Sequence, residues 1–257
     1  MFFKTKTYLT FLLKSVNQKK IQSLFISDLI NQCLKHQQDK TNSSLLNYKR
    51  ELLKNNNSIQ VTDFGAGSRV FKSNLRRISK IAKVAGISNK RAFTLIQLIK
   101  YYQPKNILEI GTSLGIATSS ISIGNPNSKI TTLEGCKETA KIAQQQFYKF
   151  NLKNINLIIG DFKNTIPKTV TNNTYDFIYF DGNHQKKATL DYFNTCLKTI
   201  NANSILIFDD IHWSKDMEEA WNIIKQHPKV TSTIDTFQWG IVFFREELEK
   251  EHYTIRI

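Results

Sequence analysis

Cysteine is scarce in this chain, and long apolar runs are missing. The three cysteines among 257 residues, Cys33, Cys136 and Cys196, are an odd number without Cys-x-x-Cys spacing. Neither a disulfide framework nor a zinc site is suggested, and a reducing, cytoplasmic setting is expected. No stretch reaches the roughly 18 consecutive apolar residues of a membrane span, so no membrane partner is expected. The start, Met1-Phe-Phe-Lys-Thr-Lys, is basic, but Lys14 breaks the apolar run from Tyr8 to Leu13 and no small-residue cleavage site follows. It reads poorly as a signal peptide. Internal repeats are absent too, which sets aside solenoids and propellers.

Acidic residues are outnumbered. Lys and Arg total 36 against 21 Asp and Glu, a formal net charge of +15. Such an excess invites nucleic acid, because phosphate neutralisation dominates that kind of binding. The basic residues, however, are scattered through a chain rich in Lys, Asn and Ile, with short clusters only at Lys19-Lys20, Arg76-Arg77 and Lys186-Lys187. A nucleic-acid footprint concentrates on one face. A solvated basic surface is the preferred reading, and the charge favours an acidic or neutral substrate over a cationic one.

The most informative stretch is Ile107-Leu-Glu-Ile-Gly-Thr-Ser-Leu-Gly-Ile-Ala-Thr118, an apolar strand that runs into glycines and then into a helical pattern. Gly111 and Gly115 let backbone approach a ligand closely, and the next helix points free N–H groups at it. A dinucleotide fingerprint would read Gly-x-Gly-x-x-Gly with an acidic residue about 20 positions on. Here the turn is Gly111-Thr-Ser-Leu-Gly115, with Glu109 before it and Glu134 closing the next strand, Lys129-Ile-Thr-Thr-Leu-Glu134. No pyrophosphate is implied; Glu134 suits a ribose diol. Three further strands at βα spacing each end in an acidic residue: Ile155 to Asp161, Tyr175 to Asp181 and Ser204 to Asp210. Carboxyl ends of parallel strands converge on one crevice.

On these residues the chain resembles the class I S-adenosylmethionine-dependent methyltransferases, whose first motif has the form Glu-x-Gly-x-x-x-Gly; the resemblance spans roughly residues 90 to 245. It implies a doubly wound, Rossmann-like α/β fold with a mostly parallel seven-stranded sheet and an antiparallel C-terminal strand. It also implies S-adenosylmethionine as cofactor. Glu109, Gly111, Ser113 and Gly115 would lie along its methionine part, Glu134 with Gly135 at the ribose, and Asp161 and Phe162 at the adenine, with Asp181 nearby. Residues 1–89 read as an N-terminal helical cap and 90–257 as the cofactor-binding domain.

Asp181, Asp209 and Asp210 stand at adjacent strand ends, where three carboxylates repel one another unless protons or a cation intervene. A divalent ion held through oxygen, Mg2+ or Ca2+, is the expected solution. The pattern is similar to metal-dependent small-molecule O-methyltransferases of the catechol and caffeoyl-CoA type, and closer to the macrolide-sugar group. That likeness implies Asp181, Asp209 and Asp210 as metal ligands, His184 as general base, and a hydroxylated small molecule as methyl acceptor. An Asp209 or Asp210 that merely caps the next helix, and a His184 that merely bonds Asp181, are the structural alternatives. His212 supports a site residue, faces substrate or forms a pocket wall, and Trp213 packs cofactor, substrate or core. Metal-free methylation of nucleic acid or protein, and a non-catalytic binding protein, are the competing functions; a homodimer is left open.

Along the rest of the chain, 7 to 38 reads as two helices and Leu45 to Leu53 as a third. Val61-Thr-Asp-Phe-Gly-Ala-Gly-Ser68 is a second glycine turn, read as structural or as a substrate-side lid with Arg69 a substrate contact, followed by helix-like sequence from Ser73 to Ala85. Residues 90 to 101 form the helix before the first strand. Met217, Ala220, Trp221 and Ile224 make a core stripe on the helix from Lys215 to Gln226. Thr231 to Phe237 and Gly240 to Phe244 are expected to pair antiparallel.

Overall fold

The computed structural model describes residues 2–16, 21–35, 43–67 and 70–256. Its N-terminal part holds α1 (Phe2–Lys14), α2 (Leu24–Leu29), which continues as a π-helical turn over Ile30–Leu34, and α3 (Ser43–Lys54). A small antiparallel pair follows, β1 (Ser58–Gln60) with β2 (Leu75–Arg77), and then α4 (Ile78–Val84). The helix expected from Ser73 onward is thus shortened: Leu75–Arg77 pairs with Ser58–Gln60 before the chain turns helical. Arg69 lies outside the described residues.

The body is built of α5 (Asn89–Tyr102), β3 (Asn106–Ile110), α6 (Ile116–Gly124), β4 (Lys129–Glu134), α7 (Lys137–Lys149), β5 (Ile155–Ile159), α8 (Phe162–Val170), β6 (Phe177–Phe180), α9 (Lys186–Cys196), β7 (Ile205–Asp209), α10 (Lys215–Gln226), β8 (Ser232–Asp235), β9 (Trp239–Phe243) and β10 (Glu251–Thr254). The sheet order is β10-β8-β9-β7-β6-β3-β4-β5. Every neighbouring pair is parallel except those made by β9, which runs antiparallel to β7 and β8. The mostly parallel sheet and the antiparallel C-terminal strand are as expected. Eight strands replace the expected seven, because β10 adds a parallel edge beside β8. Its sequence, Glu251-His-Tyr-Thr, has no apolar run to announce a strand. Main-chain pairing makes it, with Thr233 Oγ1 3.0 Å from His252 Nδ1.

Side-chain alternation divides the core between the two sheet faces. Ile107, Tyr179, Ile205 and Ile207 point to the face covered by α2, α3, α5 and α6. Leu108, Ile110, Ile178, Phe180, Leu206 and Phe208 point to the face covered by α8, α9 and α10. The stripe Met217, Ala220, Trp221 and Ile224 is buried as read from the sequence. All three cysteines are buried and free.

From β3 the chain winds outward through β4 and β5, then returns to β6 on the other side of β3 and continues to β7. The reversal lies between β3 and β6. In such sheets ligands bind at the carboxyl ends of the strands flanking that point.

Candidate active site

Gly111 and Asp181 leave β3 and β6 side by side at this reversal. Gly111 has φ of +109°, and a Cβ there would stand 2.2 Å from the Asp181 carbonyl oxygen. Glycine alone fits: the dihedral is forbidding to L side chains and the space is filled by backbone. The turn then passes through Ser113, also at positive φ, whose N–H donates to Glu134 Oε2 at 2.7 Å. Cys136 N–H donates to the other carboxylate oxygen at 2.8 Å. Burial raises the Glu134 carboxyl above the usual carboxylate range, with these backbone bonds opposing it.

A cleft of about 340 Å³ opens over this turn, within the roughly 300–1,000 Å³ of small-molecule sites. Of the residues read from the sequence, Gly111, Ser113, Glu134, Gly135, Phe162, Asp181, His184, Asp209 and Asp210 line it. Glu109, Gly115 and Asp161 do not. Glu109 is still inside β3, so its side chain turns into the layer beneath α6; it is fully buried, and Oε2 accepts from Thr118 Oγ1 and Thr132 Oγ1, each at 2.5 Å. Burial pushes its carboxyl up to about 8 against those two bonds. It braces the turn from below and does not line the cleft. Gly115 caps α6 at φ +76°, packed against Phe147 and Tyr48. Asp161 caps α8, accepting from Lys163 N–H at 3.0 Å.

On the other side of the reversal, His184 Nε2 stands 3.5 Å from Asp181 Oδ1. Asn183 and His184 both have positive φ, and so does Asp210; three non-glycine residues in this region mark strained backbone, which clusters at functional sites. Burial works against the His184 imidazolium, yet the bond to Asp181 and the charges of Asp181, Asp210 and Asp209 outweigh it and raise the group to about 9. Neither alternative capping role holds: Ser214, not Asp209 or Asp210, caps α10. His212 turns away from the cleft, stacking on Phe237 and meeting Asp235 Oδ2 at 2.9 Å. Trp213 lines the cleft, with Lys4 Nζ 3.8 Å from its ring centroid.

Sequence reasoning missed Arg91. Its Nη1 donates to Asp209 Oδ1 at 2.5 Å, and Arg91 also lines the cleft. Burial and the Asp181 charge raise the Asp209 carboxyl, while Arg91 and His184 pull it back down. A usable signal existed: α5 precedes β3 and runs back along it, so its first turn lies at the carboxyl edge. Asp181, Asp209 and Asp210, the expected metal ligands, all line the cleft. Among the described residues no group of three His, Cys, Asp or Glu side chains is disposed to hold a metal ion. The cation needed by Asp209 is the Arg91 guanidinium, and the partner of Asp181 is His184.

The segment 61–67 also lines the cleft. Asp63 Oδ1 accepts from Gly65 N–H at 3.1 Å, and Phe64 packs on Gly135. Ala66 N–H donates to Asn183 O at 2.8 Å, while Asn183 Nδ2 donates to Phe64 O at 3.2 Å. One strap therefore touches both sides of the cleft.

Residues 108–211 match the family model described as a methyltransferase domain. The fold is shared with the S-adenosylhomocysteine-bound methyltransferase PaMTH1 of Podospora anserina, with a TM-score of 0.61 at 16% identity over 79% of this chain and 88% of that one. It is shared with an O-methyltransferase from Bacillus cereus, in complex with S-adenosylhomocysteine, with a TM-score of 0.52 at 22% identity over 61% and 80% of the two chains. A putative caffeoyl-CoA O-methyltransferase from Staphylococcus aureus gives 0.56 at 18% identity over 65% and 89%. The matched segment runs from β3 to just past β7 and contains the glycine turn, both sides of the reversal and the acidic strand ends, so it is over residues 108–211 that this chain is similar to a methyltransferase domain.

Proposed function

We propose that the chain moves the methyl group of S-adenosylmethionine onto an oxygen of a hydroxylated small molecule of the sugar, phenol or natural-product type. The observation that carries this reading is that one cleft joins the glycine turn with Glu134 on one side to the His184–Asp181 pair on the other. When bound, the cofactor supplies a sulfonium methyl whose S–C bond breaks with its electron pair left on sulfur. The backbone of Gly111 and Ser113 gives that cofactor an uncluttered bed, and Glu134 offers carboxylate oxygens to a diol. Neutral His184 takes the proton of the acceptor hydroxyl as the new O–C bond forms, and Asp181 stabilises the resulting imidazolium. The remaining task is alignment of oxygen, methyl and sulfur, which the narrow, strapped cleft favours. No step is assigned to a metal, because Asp209 already meets Arg91 and Asp181 already meets His184.

The test is isothermal titration with S-adenosylhomocysteine in the presence of EDTA, followed by transfer of labelled methyl to a panel of hydroxylated small molecules, bulk RNA and denatured protein. Binding in EDTA with label on a small-molecule oxygen is the expected result. Label on RNA or protein alone overturns the acceptor class.

A further inference from the structure

We propose that Arg91 is a built-in cation, a positioning residue that holds the place a divalent ion takes in metal-assisted enzymes and makes acceptor activation here independent of such an ion. This rests on the reading of the cleft as a methyl-transfer site.

Three observations support it. Asp209 and Arg91 are 118 positions apart, yet their side chains meet at 2.5 Å with only 5% of the Asp209 and 18% of the Arg91 side chain exposed. A buried carboxylate needs such a partner, and guanidinium is the side chain that cannot shed its charge to escape burial. Alternation then explains the meeting, since Asp209 shares its face of the sheet with Ile205 and Ile207, the face on which α5 lies.

Two of the carboxylates also meet basic partners without an ion: Arg91 stands on Asp209 and His184 on Asp181. A divalent ion added to this set would stand beside the Arg91 guanidinium and repel it.

Finally, Arg91 Nε is buried with no hydrogen-bond partner among the described residues. The guanidinium carries five N–H donors, and as part of the cleft wall it has donors beyond the one held by Asp209 to offer an oxygen bound there. An acceptor oxygen losing its proton is the group that fits. Lys49, the neighbouring cation, does not serve: its Nζ is tied to Ile87 O at 2.8 Å and Asn89 Oδ1 at 2.9 Å.

The experiment titrates Mn2+ alone into the wild-type protein, Arg91→Met, Arg91→Lys and the double variant Arg91→Met with Asp209→Asn. Binding of S-adenosylhomocysteine by each protein serves as the check on folding. The wild type and Arg91→Lys are expected to show no saturable Mn2+ binding, because the cation stays in place. Arg91→Met is expected to gain it, and the double variant to lose it again. In turnover, Arg91→Met is expected to lower kcat by about tenfold or more, with the KM for S-adenosylmethionine nearly unchanged and partial recovery in Arg91→Lys. Saturable Mn2+ binding by the wild type, with turnover abolished by EDTA, overturns the proposal, and that arm needs no variant. Arg91→Met that binds S-adenosylhomocysteine and turns over like the wild type overturns it as well. Methyl transfer to no small-molecule acceptor by any of the proteins would instead defeat the reading of the acceptor class, and the Mn2+ titrations would still decide the role of Arg91.

Discussion

The two sides of the cleft are built on different principles. The glycine-turn side comes from one stretch of chain: Ser113 and Glu134, joined at 2.7 Å, are 21 positions apart within a single strand–helix–strand unit. The acidic side is assembled across the molecule, with Arg91 118 positions from Asp209 and Phe64 119 positions from Asn183. The first is specified by local backbone geometry, the second by the topology that brings α5 and the strap to the carboxyl edge of the sheet. A cofactor common to many enzymes can be held by a local unit; an acceptor needs walls drawn from several elements.

The largest expected effect strikes where the two sides touch. Gly111→Ala forces a Cβ against the Asp181 carbonyl at a dihedral that disfavours it, so stability should fall by roughly 3 kcal/mol. The corresponding drop in Tm is about 6–12 °C, and S-adenosylhomocysteine binding should disappear in titration. A variant with wild-type Tm and affinity would mean that this contact does not set the two sides against each other.

His184→Ala separates them. Turnover should fall by about a hundredfold or more, while affinity for S-adenosylhomocysteine stays close to wild type. Because His184 is raised to about 9, its neutral form grows as pH climbs, so the wild-type rate should rise from pH 7 and level off above 9. The sign for stability is opposite. A folded value above the ordinary 6.5 means that the His184 interaction stabilises fully below about 6.5 and is lost as pH rises through about 9. A pH–rate profile and urea midpoints at pH 6 and 10 test both; a rate flat between pH 7 and 9 removes His184 as the base.

The smallest effect sharpens the boundary of the cofactor side. Asp161→Ala removes the cap of α8 and should cost about 1 kcal/mol, a Tm decrease of about 2–4 °C, without changing cofactor-product affinity. A tenfold loss of affinity would return that carboxylate to the cofactor.

Legibility in the sequence follows the same division. The strand–turn–helix grammar around Gly111, Asp181 and Asp209 at their strand ends and the stripe on α10 are local patterns, and the structure places them as read. Glu109 was expected along the methionine part on the strength of the resemblance; β3 extends to Ile110, and alternation sends residue 109 into the layer under α6. The metal set was inferred from carboxylate repulsion; Arg91, the cation that meets Asp209, lies on a helix read only as a lead-in to the first strand. β10 was missed because its side chains carry no periodic apolar signal, and only the exposed main chain of β8 recruits it.

Gly111 and Asp181 meet main chain against main chain, with no side chain between them. The gap between donor and acceptor is therefore gauged by the skeleton of the sheet, not by the residues that decorate the cleft. Positions such as Arg76 and Trp213, which line the cleft, can be exchanged for others without resetting that gauge. A single donor geometry can in this way serve acceptors of different shape.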